Sequence, residues 1–141
     1  MINWGSVPLG SVLPFPFASY GKTNGESITL TGLAVTDIEI YKAGSVTQRA
    51  SDAGYTLIDT DGIDIDGITG IHGFTVDTGN DTDAGFFAVG SFYYVVVSAV
   101  TVDGQVINFI AGTFRLIAKE SVVGVQVVDA SALSVMWGRA A

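Results

Sequence analysis

A pair of strand-type segments joined by a two-residue turn signal constrains this sequence more than any other feature. Residues 92–102 read FYYVVVSAVTV, a composition rich in the aromatic and β-branched residues that favour strands. Asp103-Gly104, a dipeptide preferred in two-residue hairpin turns, follows, and residues 105–110 return as a second strand. We expect Thr113–Ile117 to continue that strand beyond a bulge at Gly112. The sequence therefore predicts a long antiparallel hairpin, with these side chains on one face: Tyr93, Val95, Val97 and Ala99.

Shorter segments of strand character precede the hairpin. Ser27–Thr31 and Asp37–Lys42 alternate polar and apolar residues, and Tyr55–Asp59 and Ile71–Val76 indicate two further short strands. Turn signals recur at roughly 8–12-residue spacing, and helical periodicity is absent. This pattern predicts an all-β fold, an antiparallel β-sandwich of about seven strands over residues 24–117.

The two ends of the chain are apolar but do not fit this pattern. Val7–Phe17 contains three prolines, which remove hydrogen-bond donors, so we expect residues 1–23 to form an extended arm rather than a central strand. That arm would bury its side chains either on its own domain or on a neighbouring subunit. Residues 118–141 restart with an apolar stretch at Val122–Val128 and are predicted to form a second arm or oligomerisation segment. The candidate interface residues are Trp4, Leu13, Phe15, Phe17, Val125, Leu133 and Trp137. Deletion of residues 1–16 or 120–141 is accordingly expected to leave a folded sandwich that no longer assembles.

The composition indicates that the chain buries more apolar surface than a single domain can cover by itself. Charged residues make up 14% of the chain and hydrophobic residues 48%, with a mean hydropathy of +0.48, whereas about 25% charged residues is typical of soluble domains. No apolar run approaches the roughly 20 residues that a membrane-spanning helix needs. We therefore expect subunit interfaces, a homo-oligomer, and no membrane partner.

The net charge of −8 argues against a nucleic-acid partner, since phosphate binding requires clustered Lys and Arg. The chain has only six Lys and Arg residues, and none lies between Arg49 and Arg115. That interval is instead rich in aspartate, which predicts an anionic surface that repels DNA.

The residue inventory gives little support to an enzyme or a bound cofactor. The chain has no cysteine and one histidine, His72, so Cys/His dyads and zinc clusters are excluded. A Ser-His-Asp set cannot be excluded by counting, but no serine lies in a nucleophile-elbow context. We therefore expect His72 to be structural, and no catalytic residue or cofactor is assigned.

The acidic stretch Asp59–Gly67 invites comparison with calcium-binding loops. The helix-loop-helix calcium motif requires an oxygen ligand at its fifth position and glycine at its sixth, whereas counting from Asp59 places Ile63 and Asp64 there. We expect a strand or edge loop with a solvated acidic face, and no metal. A weak calcium site is the alternative, with the candidate ligands Asp59, Asp61, Asp64 and Asp66.

Several phrases of the sequence together resemble a known module. They are Tyr20–Leu33, Asp37–Lys42, Gln48–Asp52, Asp59–Gly62 and Gly70–Phe74. Over Trp4–Ile117 the chain resembles the immunoglobulin-like N-terminal domain of baseplate upper proteins and fibre-anchoring virion proteins of tailed bacteriophages. The resemblance implies an immunoglobulin-like sandwich that attaches to the particle and has other virion structural proteins as partners.

These observations lead to one functional hypothesis with two alternatives. The hypothesis is a non-enzymatic virion structural protein, an anchoring subunit of the tail or baseplate. Since residues 1–5 lack the features of a signal peptide, we expect assembly in the host cytoplasm. One alternative is a capsid decoration protein. The other is a module that binds glycan or protein on a host surface, which would expose loop aromatics such as Tyr55 or Phe86-Phe87.

Overall fold

The computed structural model describes residues 1–119 as an all-β fold of seven strands in two sheets. The strands are β1 (Ile2–Pro8), β2 (Val12–Ala18), β3 (Ile38–Lys42), β4 (Tyr55–Leu57), β5 (Ile71–Asp77), β6 (Phe92–Val102) and β7 (Gln105–Ile117). Two single turns of 3-10 helix, Val35–Asp37 and Ile65–Gly67, complete the regular structure of these residues. The all-β prediction is confirmed, and no helix in this part of the chain is long and apolar enough to cross a membrane.

The two sheets have different strand directions. The larger sheet has the order β1-β7-β6-β3, and the smaller sheet has the order β2-β5-β4. Strand β1 runs parallel to β7, with Ile2 opposite Gly112 and Pro8 opposite Ile117. The prediction of a purely antiparallel fold is therefore wrong for β1, because the chain begins beside its last described strand and runs in the same direction.

The predicted hairpin is present and contains two irregularities. Asp103 and Gly104 have φ values of +49° and +74°, as a type I′ turn requires. One bulge at Ala111, beside the expected Gly112, is confirmed by the shift in pairing between the strands. A second bulge at Ala99 (φ +59°) reverses the alternation, so that Val100 is buried while Ala99 is exposed. The prediction that Ala99 shares the buried face is wrong for this reason.

The predicted N-terminal arm is instead part of both sheets. Residues 2–8 and 12–18 form β1 and β2, so the sandwich begins at Ile2 and not at residue 24. The prolines at positions 14 and 16 are compatible with a strand because β2 lies at a sheet edge, where one side of the backbone needs no partner. Leu13 and Phe15 are 4% and 0% exposed, which places them in the core and not at a subunit interface as predicted.

Between β2 and β3 a predicted strand is missing. Ser27–Thr31 forms no strand and makes only isolated bridges, Tyr20 with Ser27 and Thr31 with Thr101. Leu30 is nevertheless buried at 1% exposure, so the alternating pattern reflects a loop that anchors one apolar side chain. The predicted C-terminal arm, with its interface candidates Val125, Leu133 and Trp137, lies outside the described residues.

Aromatic side chains join the two sheets in the core. Phe15 of β2 stacks on Phe74 of β5, with ring centroids 5.5 Å apart. Tyr93 of β6 stacks on Phe114 of β7 at 4.9 Å, and Phe15 contacts Phe114 across the sheets at 6.4 Å. All four rings are fully buried, so this stack holds the two sheets face to face.

Candidate interaction surface

Strand β7 is longer than the strand that covers its outer side. Strand β1 meets β7 only from Gly112 onward, so Gln105–Ile110 pair with β6 on one side alone. Among residues 1–119, no backbone group forms a hydrogen bond with the other side of Gln105–Ile110. Because alternate backbone groups of a strand point away from each neighbour, this segment presents free N–H and C=O groups at a sheet edge. We call Gln105–Ile110 the open edge.

An apolar groove of about 430 Å³ lies beside the open edge, at the end where β2 stops short of the hairpin. Phe17 of β2 and Phe109 of β7 contact each other at 5.0 Å between ring centroids and both line the groove. Much of the surrounding apolar surface is exposed: Val106 at 67%, Ile110 at 48% and Tyr20 at 59%. Exposed apolar side chains contiguous with free strand hydrogen bonds are typical of a docking surface.

Two of the predicted interface residues lie close to β2. Phe17 is partly buried and lines the groove, whereas Trp4 is 37% exposed on β1. The indole N–H of Trp4 donates a hydrogen bond of 3.1 Å to the carbonyl oxygen of Pro14. This bond links the first strands of the two sheets, so Trp4 has a local packing role whether or not it also contacts a partner.

The acidic stretch forms a loop and not a strand. Asp59 accepts hydrogen bonds from the backbone N–H groups of Gly62 and Asp66, each at 3.2 Å. Asp64 accepts one from Gly70 N–H at 3.0 Å and one from the Thr29 hydroxyl. An extended strand would place Asp64 and Asp66 on one face, but the 3-10 turn at Ile65–Gly67 interrupts the extended backbone between them.

Three of the four calcium candidates, Asp59, Asp61 and Asp64, have carboxylates that form hydrogen bonds within the protein. Within residues 1–119, no group of three or more acidic or histidine side chains is placed to hold a metal ion. A hydrogen bond between Asp59 and Asp61 lowers the pKa of the Asp59 carboxyl and raises that of Asp61. The hydroxyl of Thr29 lowers the pKa of Asp64, and the Gly70 N–H acts in the same direction.

The depressed pKa of Asp64 gives a testable pH dependence. A carboxylate whose pKa is lower in the folded than in the unfolded chain stabilises the fold above its unfolded pKa, and that stabilisation is lost as the pH falls through the folded pKa. We therefore expect stability to decline below about pH 4, near the unfolded pKa of aspartate, and Asp64→Asn to make that decline shallower. Urea unfolding between pH 2.5 and pH 7 measures this.

The matched control for this experiment is Asp81→Asn, because the exposed Asp81 carboxylate makes no hydrogen bond within residues 1–119. Equal pH profiles for the two variants would contradict the role assigned to the Thr29–Asp64 contact.

His72 connects three segments inside the fold. Its Nε2 lies 2.6 Å from the Ser19 hydroxyl, and its Nδ1 lies 3.2 Å from the Ile63 carbonyl oxygen and 3.6 Å from Asp64. This order of groups is that of a Ser-His-Asp triad, but Ser19 donates its proton to the Ile28 carbonyl and the imidazole is fully buried. A serine so engaged is a poor nucleophile, and the arrangement favours a structural role that ties β2, β5 and the acidic loop together.

Arg49 forms a second buried polar centre, which no motif of the sequence predicts. At 3% exposure, its guanidinium donates to the Ala53 carbonyl at 2.6 Å and to Asn80 at 2.8 Å, and its Nε lies 3.0 Å from Asp83. The guanidinium also lies 4.9 Å from the centroid of the Phe87 ring. These contacts hold the loop after β5 against the loop after β3.

The aromatic residues expected for a host-binding module surround Arg49. Tyr55 and Phe87 are 7% and 9% exposed, and Phe86 packs partly buried against the core. Burial raises the pKa of the Tyr55 hydroxyl, with the Arg49 guanidinium opposing that effect. The expectation of an exposed aromatic patch at these positions is wrong, because the rings pack around the buried Arg49 guanidinium.

The structure thus brings together residues that are far apart in the sequence. The groove joins Phe17 to Phe109, and the polar centre joins Arg49 to Asp83. Two signals in the sequence point to these features. The hairpin strand Gln105–Ile110 has no charge and no proline to protect an edge, which indicates the open edge. Arg49 is the last base before a long acidic interval, which indicates the polar centre. Comparison of this chain with protein-family models, curated proteins and solved structures finds no match.

Proposed function

We propose that this protein is a non-enzymatic structural subunit of a bacteriophage particle, an anchoring component of the tail or baseplate. The observation that carries the assembly role is the open edge beside an apolar groove. A monomer that left this surface uncovered would expose both free strand hydrogen bonds and large apolar side chains, a combination that favours association. The particle itself is suggested by the resemblance of Trp4–Ile117 to baseplate and fibre-anchoring domains.

The immunoglobulin-like identity of the domain belongs to the same proposal. Seven strands in two facing sheets, of four and three strands, support it, as does the resemblance in the loop phrases. In this proposal the protein is assembled in the host cytoplasm, resides in the virion, and has other virion structural proteins as partners. The net charge of −8 supports a protein partner over nucleic acid.

The polar centres support the non-enzymatic part of the proposal. The one triad-like set, Ser19, His72 and Asp64, is committed to hydrogen bonds with the backbone, and neither Ser19 nor His72 lines the groove. The side chains that line the groove are apolar or aromatic, and among them only that of Tyr20 is titratable. Such a surface can hold an apolar segment, and Tyr20 alone does not make up a catalytic set of acid, base and nucleophile.

Co-sedimentation with particles tests the proposal. Particles grown from the genome that encodes the chain should contain it at a fixed copy number after gradient purification, and gold-labelled antibody should mark one position, the tail or baseplate. Label over the whole capsid would instead indicate a decoration protein. Absence of the chain from purified particles would overturn the virion role.

A further inference from the structure

We infer that the open edge and groove bind the segment Val122–Val128 from a second copy of this chain, which adds as a strand beside Gln105–Ile110. This inference rests on the proposed assembly function and names its partner. Backbone hydrogen bonds along the edge and valine side chains in the groove would hold the two copies together, a mode of binding known as β-strand addition.

The open edge differs from the other edges of the two sheets. Residues 98–102 of β6, which extend beyond β3, contain the bulge at Ala99 and are bridged by Thr31. Strand β2 carries Pro14 and Pro16, and β3 carries charges at Glu39 and Lys42. Strand β4 has only three residues, and β1 is interrupted by a bulge and closed by the Trp4 hydrogen bond to β2. Prolines, charges, short strands and bulges are the devices that prevent unwanted pairing. Gln105–Ile110 contains no proline and no charge, and the bulges beside it lie at Ala99 of β6 and at Ala111, outside the segment. An unprotected edge on an otherwise protected fold indicates that pairing there is used.

The segment Val122–Val128 has the chemistry that this surface accepts. It reads VVGVQVV and carries no charge, as the open edge carries none. In an extended strand Val123, Val125 and Val127 would share one face, while Gly124 and Gln126 would share the other. One face therefore matches the apolar groove, and the other suits solvent or a polar neighbour.

The length of the connection favours a second copy over the same chain. Strand β7 ends at Ile117, and Ile110 lies seven residues back along the strand, or about 23 Å. Five residue steps from Ile117 reach only about 17 Å to Val122 when fully extended, and β1 occupies the side of β7 along this path. In the same chain, therefore, only the last residues of Val122–Val128 could reach the open edge, and they would have to pass around β1, whereas the segment of a neighbour is free to lie along all of it.

The experiment uses the full chain and four single variants. Ile107→Lys and Ile110→Lys place a charge on the groove and open edge at positions 37% and 48% exposed, so both are expected to fold. Val125→Pro removes the donor's ability to form a strand. Val46→Lys, at a loop position 96% exposed, is the control for added surface charge. Sedimentation equilibrium measures self-association, and circular dichroism verifies the fold of each variant.

We expect the wild type and Val46→Lys to self-associate, and each of the other three variants to weaken self-association at least tenfold. A synthetic peptide of residues 120–130 should bind the Val125→Pro chain in calorimetry, and bind Ile107→Lys or Ile110→Lys at least tenfold more weakly. Self-association that survives all three variants, or a peptide that does not bind, would overturn the inference. A chain present in particles but monomeric in solution, with no peptide binding, would overturn the inference alone and leave the virion role standing.

Discussion

Removal of residues 1–16 is expected to unfold the protein. The deletion takes away all of β1, most of β2 and the buried side chains of Leu13 and Phe15. Truncating a buried Leu or Phe to alanine costs about 2–5 kcal/mol, and the total stability of a domain is only about 5–15 kcal/mol. Loss of two core side chains together with a strand ladder therefore removes most of that stability. Circular dichroism and thermal unfolding of residues 17–141 measure the effect.

Point variants on the same strand make this prediction quantitative. Phe15→Ala should lower the free energy of unfolding by about 3–5 kcal/mol, because its ring contacts Phe74 and Phe114 in the core. Val12→Ala, on the same strand but 57% exposed, should change it by less than about 0.5 kcal/mol. A chain ending at Lys119 keeps all seven strands and should unfold cooperatively. A folded chain lacking residues 1–16 would restore the original interpretation of this segment as an arm.

Replacing the buried Arg49 with methionine is expected to lower the free energy of unfolding strongly. The variant leaves Asp83 without its cation and the Ala53 carbonyl without its donor, and it leaves the Asn80 side-chain oxygen with only the Thr82 N–H. Removing one partner of a buried pair costs about 3–5 kcal/mol, and we expect the lower end of that range since Asp83 keeps access to water. Urea unfolding at pH 7 measures the loss.

Lys42→Met is the matched control for Arg49→Met. The Lys42 ammonium also lies over an aromatic ring, 5.5 Å from the centroid of Phe86, but on the surface. Its loss should change the free energy of unfolding by less than about 1 kcal/mol. Similar losses in both variants would show that the cation–ring contact, and not the buried hydrogen bonds of Arg49, dominates at this site.

Local chemistry explains which parts of the fold were predictable. The Asp103-Gly104 turn determines its hairpin through the backbone angles of two adjacent residues, so the sequence alone suffices. The prolines of β2 misled the prediction because their effect depends on whether the strand is central or at an edge, which is a property of the whole sheet. Ser27–Thr31 has the alternation of a strand but no neighbour along most of its length. Its pattern could not reveal that absence.

The candidate surface was less predictable than the fold. The open edge exists because β7 continues beyond the start of β1, and the register of two strands at opposite ends of the chain is not encoded locally. The Arg49 centre likewise depends on the meeting of two loops. The charge-free hairpin strand could be recognised in the sequence, but whether a neighbour covered it could not.

The pairing of β1 with β7 has a consequence for the order of events during synthesis. Strand β1 is synthesised about 100 residues before its hydrogen-bonding partner β7, so the larger sheet cannot be completed until the ribosome has released the chain past Ile117. Before β7 emerges, the chain can form only the β3–β6 pairing of the larger sheet, and the fully buried ring of Phe15 lacks its partner on β7. Contacts of such long sequence separation slow folding, because the loop must close before any contact forms. Apolar strands therefore stay uncovered until β7 is made, and we expect the aspartate-rich interval between Arg49 and Arg115 to disfavour association of neighbouring nascent chains by charge repulsion.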